Sequence, residues 1–155
     1  MENQLRVLII GGVACGPKSA SRLKRLIPDA DVTMIERGRL VSYGACGLPY
    51  YVEGMYPEIS MVSETPVGVL RDAAFFEKAK GFNTLTRLEA TRINREAKTV
   101  RVKHLDTGDE RDVPYDKLVL ATGSRPIQPP IPGLELTNVW RSEEHTSELQ
   151  SLAYL

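Results

Sequence analysis

Hydrophobic and polar positions along the first third of the chain predict one supersecondary unit. Residues 5–10 form a nearly continuous apolar run, which is typical of a strand buried on both faces. A glycine cluster follows, and apolar residues at helical spacing then predict a helix over 17–27. Residues 32–35 predict a second strand that ends at Glu36. A strand, a glycine turn, a helix and a strand in this order form a βαβ unit.

The remaining pattern predicts short helices and several strands. Residues 46–52 and 72–80 have the spacing of short helices, and Gly81 would end the second one. The strand-like segments are 86–94, 99–105, 111–113 and 117–121. The first three predict an antiparallel meander, whereas the last is a buried apolar strand. We therefore expect an α/β fold of the Rossmann type, with a parallel sheet, helices on its faces and a three-stranded antiparallel meander.

The chain changes character after residue 140. Residues 125–133 hold four prolines, which predicts an extended connector. Residues 141–155 begin with a polar run that resembles the conceptual translation of a sequencing-adapter oligonucleotide. We interpret residues 1–140 as the native part and 141–155 as a non-native read-through tail, so the domain is expected to be truncated. The alternative is a genuine polar helix capped by Ser142.

Composition and charge exclude several classes of protein. The 155 residues carry 20 Lys and Arg against 20 Asp and Glu, so no net charge attracts the chain to nucleic acid or to an anionic membrane. No apolar run approaches the roughly 20 residues of a membrane helix, and the N-terminus lacks the pattern of a secretory signal. Two cysteines are too few for a disulfide scaffold or a four-thiolate zinc site. No metal site is predicted, and the cytoplasm is the expected compartment.

The glycine turn after the first strand has the chemistry of an anion site. Backbone N–H groups and the positive end of the helix meet there, which suits a pyrophosphate. Gly11 permits the tight turn and Gly16 lets the helix pack close to the sheet, whereas Val13 occupies the middle glycine position of the G-x-G-x-x-G pattern. Glu36 ends the second strand, where a carboxylate can accept hydrogen bonds from both ribose hydroxyls of an adenosine. A generic α/β turn with a surface glutamate is the alternative.

Cys46 lies in the most specific stretch of the sequence, Ser-Tyr-Gly-Ala-Cys-Gly-Leu-Pro-Tyr-Tyr over 42–51. The cysteine follows a glycine-containing loop and is predicted to open the short helix, where unpaired N–H groups favour the thiolate. The thiolate is the form that attacks a disulfide. No second cysteine follows at C-x₄-C spacing, so a redox cysteine here would cycle through a mixed disulfide or a sulfenic acid. A small buried cysteine without chemistry is the alternative.

Three motifs in this order resemble a known family. They are the glycine turn with Glu36, the Cys46 stretch, and Tyr-Asp-x-Leu-Val-Leu-Ala-Thr-Gly over 115–123. Together they are similar to the coenzyme A disulfide reductase and NADH oxidase/peroxidase branch of the pyridine nucleotide-disulfide oxidoreductases. The resemblance covers residues 5–140 and implies that they are the N-terminal part of an FAD-binding domain. It implies FAD rather than NAD at the glycine turn, because the Ala-Thr-Gly turn resembles the second flavin fingerprint of that family.

The resemblance also implies roles for single residues. Cys46 would be the redox nucleophile, with Ser42 near the sulfur. The basic side chains that would hold a phosphorylated substrate are Arg22, Arg25 and Lys80; a solvated helix face is their alternative. The cofactor-binding residues would be Gly11, Gly12, Val13, Ala14, Gly16, Glu36, Arg37, Ala90, Ala121, Thr122 and Gly123. Cys15 replaces a family glycine, and Ala45 stands where coenzyme A disulfide reductases often have Asn.

The implied activity is that of a flavoprotein disulfide reductase. NAD(P)H would give a hydride to FAD, and two electrons would pass to a disulfide centred on Cys46, with coenzyme A disulfide or its per- or polysulfide as acceptor. The complete protein would be a homodimer, and this chain alone would be inactive because the family continues into NAD(P)H-binding and dimerisation domains. One alternative is an NADH oxidase or peroxidase with a Cys46 sulfenic acid. Another is a non-catalytic nucleotide-binding module.

Overall fold

The computed structural model of the chain describes residues 4–124, 127 and 129–137. Its helices are α1 (Cys15–Leu26), α2 (Leu48–Val52) and α3 (Ala73–Lys80). Its strands are β1 (Arg6–Ile10), β2 (Asp31–Ile35), β3 (Asn83–Leu85), β4 (Leu88–Asn94), β5 (Thr99–His104), β6 (Glu110–Pro114) and β7 (Lys117–Leu120). Two 3₁₀ turns cover Ala45–Gly47 and Ile59–Ser63. The predicted boundary at residue 140 and the tail over 141–155 lie outside the described residues.

The strands form two sheets. The larger one has the order β3-β2-β1-β7 and is parallel throughout, and the smaller one is the antiparallel meander β4-β5-β6. The register pairs Ile10 of β1 with Ile35 of β2 and with Leu120 of β7. These three strands therefore end at the same edge of the sheet, and the segments that follow them begin side by side.

The central strand β1 is buried on both faces, as its apolar run predicts. Val7 and Ile9 pack with Ala20 of α1 and Phe76 of α3. On the other face, Leu8 and Ile10 pack in a cluster with meander residues, which include Leu88, Val100 and Val102. Helices α1 and α3 thus cover one face of the parallel sheet and the meander covers the other, so the four residues of this strand that follow Arg6 all contribute to a core.

Three elements differ from the sequence-based expectation. Strand β3 was not predicted, because its three residues are too few to show a period and it exists by pairing with β2. The strand predicted over 86–94 starts only at Leu88, since Arg87 adopts a positive φ of 60° and breaks the extended backbone. Cys46 does not open a helix; it lies in a 3₁₀ turn, two residues before α2 begins.

An ion pair joins the start of β1 to the start of β7. The Arg6 guanidinium donates to Asp116 through Nε at 3.2 Å and Nη2 at 2.8 Å, and the Arg6 backbone N–H donates to the same carboxylate at 2.8 Å. These hydrogen bonds, with the charge of the guanidinium, lower the pKa of Asp116 from 3.8 to about 2. The aspartate of the Tyr-Asp motif therefore has a structural task, which is to align β7 with β1.

Asp116→Asn is expected to destabilise the chain near neutral pH and to have progressively less effect in acid. A carboxyl whose folded-state pKa is depressed stabilises the fold above its unfolded pKa, here 3.8, and this contribution is lost as pH falls through about 2. Urea unfolding of both chains from about pH 6 to about pH 2 measures the difference. Asp29→Asn is the control, because Asp29 is exposed and has no ion pair to another described residue. A difference between Asp116→Asn and the native chain that does not change with pH would contradict the expectation.

Candidate functional site

The carboxyl-terminal edge of the parallel sheet brings the predicted motifs together. The backbone N–H of Gly11 donates to the Ile35 carbonyl at 2.9 Å, and that of Ala121 donates to the Ile10 carbonyl at 2.8 Å. The glycine turn therefore lies between the end of β2, where Glu36 follows, and the end of β7, where the Ala-Thr-Gly turn follows. In open parallel sheets, ligands bind outside the carboxyl ends of the strands.

The close approach of backbone segments explains two of the glycines. Gly11 has a positive φ of 109°, and a Cβ on it would lie 2.3 Å from the Ala121 carbonyl oxygen. A Cβ on Gly16 would lie 1.8 Å from the Gly11 carbonyl oxygen and 3.3 Å from the Met34 Sδ. Gly11 thus permits the tight turn and Gly16 the close packing of α1, as the sequence predicts. The geometry also puts the two dinucleotide motifs in direct backbone contact.

The first turn of α1 has free capacity for an anion. Ala14 occupies the N-cap and offers no side-chain acceptor, and the first turn contains no acidic residue. By contrast, Asp72 caps α3 by accepting a hydrogen bond from the Phe75 backbone N–H at 2.8 Å. Because the first N–H groups of a helix have no partner within it, an anion at the start of α1 would satisfy them. Ala14 and Cys15 are both exposed there, so a ligand could reach them.

The Glu36 carboxylate is fixed by two backbone amides. Its Oε2 accepts from the Gly12 N–H at 2.6 Å, and its Oε1 accepts from the Gly38 N–H at 2.8 Å. Each oxygen has a second lone pair, so two further hydrogen bonds can be accepted from a ligand. A Cβ on Gly12 would lie 2.9 Å from the Glu36 Cβ and 3.1 Å from Val41 Cγ1. Gly12 therefore leaves room for the Glu36 and Val41 side chains to pack against the glycine turn.

Five further predicted cofactor residues surround this edge. Arg37 is exposed, and its guanidinium lies 3.9 Å from the Glu89 carboxylate. Ala90 of β4 packs against the cluster that contains Ile10 and Ile35. Thr122 and Gly123 are exposed directly after Ala121, and Gly123 has a positive φ of 70°, with no atom within 4 Å of the position that a Cβ would take. Val13 is half-buried in the glycine turn.

The loop that carries Cys46 is tied to the glycine turn. The Ser42 N–H donates to the Gly12 carbonyl at 2.8 Å, and the Gly44 N–H donates to the Val62 carbonyl at 2.8 Å. Cys46 is four residues beyond Ser42, so its Cα lies at most about 14 Å from that of Ser42. The thiol is exposed and has no disulfide partner. Cys46 is therefore not buried as the alternative supposes, and its side chain is open to solvent in this chain.

Two of the predicted basic residues share a surface depression of about 230 Å³ between α1 and α3. Its lining comprises Ser21, Lys24, Arg25, Pro28, Ala79 and Lys80. Lys24 is engaged structurally, because its Nζ donates to the carbonyls of Pro28 and Ala30. Arg22 is exposed on α1 but outside this lining. The depression lies about 15 Å along α1 from Cys15, since Arg25 is ten residues further along the helix.

Sequence reasoning missed several residues that shape the site. Gly38 donates to Glu36, Val41 covers Gly12, and the Val62 carbonyl anchors the cysteine loop. Only Gly38 has a sequence signal, a glycine two residues after a strand-terminal glutamate. Within the ranges that the structure describes, no three His, Cys, Asp or Glu side chains are placed to hold a metal ion. No helix in this part of the chain is long and apolar enough to cross a membrane.

Fold and site together define a class of protein. The chain belongs to the pyridine nucleotide-disulphide oxidoreductase family, whose family model matches residues 5–153. This confirms the family predicted from the three motifs, and the Rossmann-type fold is confirmed with it. The glycine turn, the Glu36 carboxylate and the Cys46 loop lie within the matched range.

Among its relatives, the chain is similar to the "NAD(P)H sulfur oxidoreductase (CoA-dependent)" of Pyrococcus furiosus, with 37% identity over 138 residues. This match covers 89% of the chain and 29% of the relative. An "NADH oxidase" of Enterococcus faecalis is 33% identical, and this match covers 87% of the chain and 29% of that relative. The solved structure of a NAD-dependent persulfide reductase from A. fulgidus superposes with a TM-score of 0.81 at 43% identity, covering 96% of the chain and 27% of that structure. The chain therefore spans less than a third of the length of each.

Proposed function

We propose that the chain is the FAD-binding part of an NAD(P)H-dependent flavoprotein reductase that uses Cys46 as its redox cysteine. Its acceptor is coenzyme A disulfide or a per- or polysulfide of coenzyme A. The observation that carries the proposal is the convergence of the glycine turn, Glu36, the Ala121 turn and the cysteine loop on Gly11 and Gly12. The full reaction is proposed for a longer, homodimeric protein that contains these residues, because the relatives are more than three times as long.

The residues present fit FAD. The uncapped amides at the start of α1 would hold its pyrophosphate, and the free lone pairs of Glu36 would accept from the ribose hydroxyls. A carboxylate at that position disfavours a 2′-phosphate. The open backbone at Gly123 leaves room beside the Ala-Thr-Gly turn. When bound, FAD would supply two-electron chemistry, namely hydride acceptance from NAD(P)H and electron donation to sulfur.

Cys46 would perform the sulfur chemistry. Its thiolate attacks one sulfur of the acceptor disulfide, a new S–S bond forms to Cys46, and the old S–S bond breaks. The second thiol of the acceptor leaves as a thiolate and takes a proton from solvent, to which the exposed loop gives access. The hydride of NAD(P)H balances the cycle, because two electrons and a proton convert the mixed disulfide into the Cys46 thiolate and a second free thiol.

The basic depression supports coenzyme A as the thiol carrier. Arg25 and Lys80 place two cations about 15 Å along α1 from the glycine turn, to which the Cys46 loop is tied through Ser42. Coenzyme A carries its phosphates far from its thiol, at the other end of a long pantetheine arm. A substrate of that shape can place its phosphates on these cations and its disulfide at Cys46. Charged recognition at this distance favours encounter and orientation.

A second candidate is an NADH oxidase or peroxidase. Two observations favour it: Cys46 is exposed, and the Enterococcus faecalis relative is named for that activity. In this case the Cys46 thiolate attacks one oxygen of hydrogen peroxide, hydroxide leaves, and the sulfur becomes a sulfenic acid. NADH would then return the sulfenic acid to the thiol with release of water. The two candidates are distinguished by the rates at which Cys46 reacts with hydrogen peroxide and with coenzyme A disulfide.

Titration of the chain with FAD tests the proposal. We expect one FAD per chain and, with reduced cysteines, a long-wavelength charge-transfer absorbance, because a thiolate beside an oxidised flavin donates charge to it. Cys46→Ser should bind FAD without this absorbance, and Cys15→Ser, which removes the other exposed thiol, should keep it. Failure to bind FAD would overturn the proposal. Binding with no absorbance dependent on Cys46 would leave a nucleotide-binding module without redox function.

A further inference from the structure

An ion pair secures the connection between β3 and β4. The Arg87 guanidinium donates to Asp106 through Nη2 at 2.7 Å and through Nε at 3.0 Å. The side chain of Arg87 is only 15% exposed, and that of Asp106 is 45% exposed. Arg87 has a positive φ of 60°, a conformation that a non-glycine residue holds only when its surroundings impose it. Hydrogen bonding to Arg87 also lowers the pKa of Asp106.

The backbone of Arg87 connects this ion pair to Glu36. The Arg87 N–H donates to the Gly38 carbonyl at 3.2 Å, and the Gly38 N–H donates to Glu36 Oε1 at 2.8 Å. The next residue, Leu88, donates its N–H to the Glu36 carbonyl at 3.0 Å. A continuous chain of contacts therefore runs from Asp106 through Arg87 and Gly38 to the Glu36 carboxylate.

The turn between β5 and β6 anchors the other end of this chain of contacts. The Leu105 N–H donates to the Arg87 carbonyl at 2.9 Å. The backbone N–H groups of Asp106 and Thr107 both donate to His104 Nδ1, at 3.3 Å each. The Asp106 carboxylate thus lies on a turn of the meander that has its own hydrogen bonds. Asp106 can therefore restrain the position of the Arg87 side chain.

We propose that Arg87 and Asp106 are positioning residues that orient the Glu36 carboxylate toward the ribose hydroxyls of an adenosine nucleotide. The inference rests on the proposed function of the glycine turn as a dinucleotide site. Without the ion pair, the strained Arg87 backbone can relax and Gly38 can shift, so Glu36 Oε1 loses its fixed orientation. The amides of α1 have no part in these contacts, so affinity for the phosphates is unaffected.

The orientation of Glu36 can be tested with two nucleotides that differ only in their ribose hydroxyls. ADP carries both ribose hydroxyls, whereas 2′,3′-dideoxy-ADP carries the same phosphates without them. The ratio of their affinities for the chain, measured by titration calorimetry, isolates the hydrogen bonds to the ribose from those to the phosphates. We expect Asp106→Asn to lower this ratio about fivefold while dideoxy-ADP binds unchanged. A general loss of folding would weaken both probes together.

The meander offers a matched control in a second Arg–Asp pair. Arg101 donates to Asp112 through Nε at 2.9 Å and Nη2 at 2.8 Å, and its two ion-pair partners, Asp112 and Glu110, both lie on β6 of the meander. Asp112→Asn should therefore leave the affinity ratio as it is. If Asp106→Asn and Asp112→Asn change the ratio equally, or if neither changes it, the inference is overturned.

A second variant keeps the test decisive if Asp106→Asn fails to fold. Arg87→Gly removes the guanidinium, and glycine tolerates the positive φ, so the variant can fold, but no side chain then anchors the backbone at residue 87 and Gly38 can still shift. It should lower the affinity ratio as Asp106→Asn does, and an unchanged ratio would overturn the inference. Glu36→Gln distinguishes failure of the inference from failure of the proposed function. If the native chain prefers ADP and Glu36→Gln abolishes that preference, the nucleotide site stands and only the positioning role is in question. If the native chain binds ADP and dideoxy-ADP equally, or binds neither, the positioning role and the proposed nucleotide site are both contradicted.

Discussion

Gly11→Ala is expected to destabilise the chain by about 3–5 kcal/mol and to abolish FAD binding. Two causes add at this residue. The positive φ of 109° strains any residue with a Cβ, and that Cβ would lie 2.3 Å from the oxygen and 2.7 Å from the carbon of the Ala121 carbonyl. Both are backbone atoms, so no side-chain rotation can relieve the overlap. The end of β7 and the glycine turn must move apart, which separates the two motifs that would hold the dinucleotide.

Gly108→Ala separates these two causes. Gly108 also has a positive φ, of 80°, but no atom lies within 4 Å of the position its Cβ would take. This variant should lose only about 1–2 kcal/mol, the cost of the left-handed conformation alone. Urea unfolding followed by circular dichroism measures both losses, and flavin fluorescence measures FAD retention. Equal losses of stability in the two variants would mean that the turn after β7 does not contact the glycine turn closely. That result would contradict the proposed convergence of the two motifs.

The parts of the fold that could be predicted are those with a local signal. The apolar run of β1 and the glycine cluster define the βαβ unit, and alternation defines the meander. β3 has no such signal: its three residues become a strand because Asn83, Thr84 and Leu85 pair with β2. The Thr84 hydroxyl is also buried without a hydrogen-bond partner among the described residues, and the residue type alone would not predict that burial.

The candidate site also has residues that the sequence predicts and residues that it does not. Glu36 and Cys46 could be proposed from residue type and spacing, because a carboxylate at a strand end and a cysteine beside glycines have characteristic chemistry. Their supports could not be proposed. The bond from Ser42 to the Gly12 carbonyl and the bond from Gly44 to the Val62 carbonyl use backbone groups, which leave no trace in the sequence. The Arg87–Asp106 pair joins residues 19 apart, and only the folded meander brings them together.

Mixing the reduced chain with coenzyme A disulfide is expected to release one free coenzyme A per chain and to leave the other on Cys46 as a mixed disulfide. This half-reaction needs no NAD(P)H, so the chain can be tested as it is. Cys15 is also exposed and provides an internal comparison in the same molecule. Peptide mapping by mass spectrometry should find Cys46 modified about tenfold faster than Cys15, because the proposed coenzyme A site delivers the disulfide to the cysteine loop, and Cys46→Ser should remove the fast phase.

The charge of the acceptor gives the prediction its specificity. If Arg25 and Lys80 capture the phosphates, coenzyme A disulfide should react with Cys46 about tenfold faster than the small, uncharged 2-hydroxyethyl disulfide, and added salt should erase much of that advantage. Lys80→Ala should reduce the advantage. Lys78→Ala is the matched control, because Lys78 lies on the last turn of α3 but outside the lining of the depression. If Cys46 reacts with both disulfides at the same rate and instead reacts fastest with hydrogen peroxide, the acceptor is a peroxide, and the second candidate, in its peroxidase form, replaces the disulfide reductase.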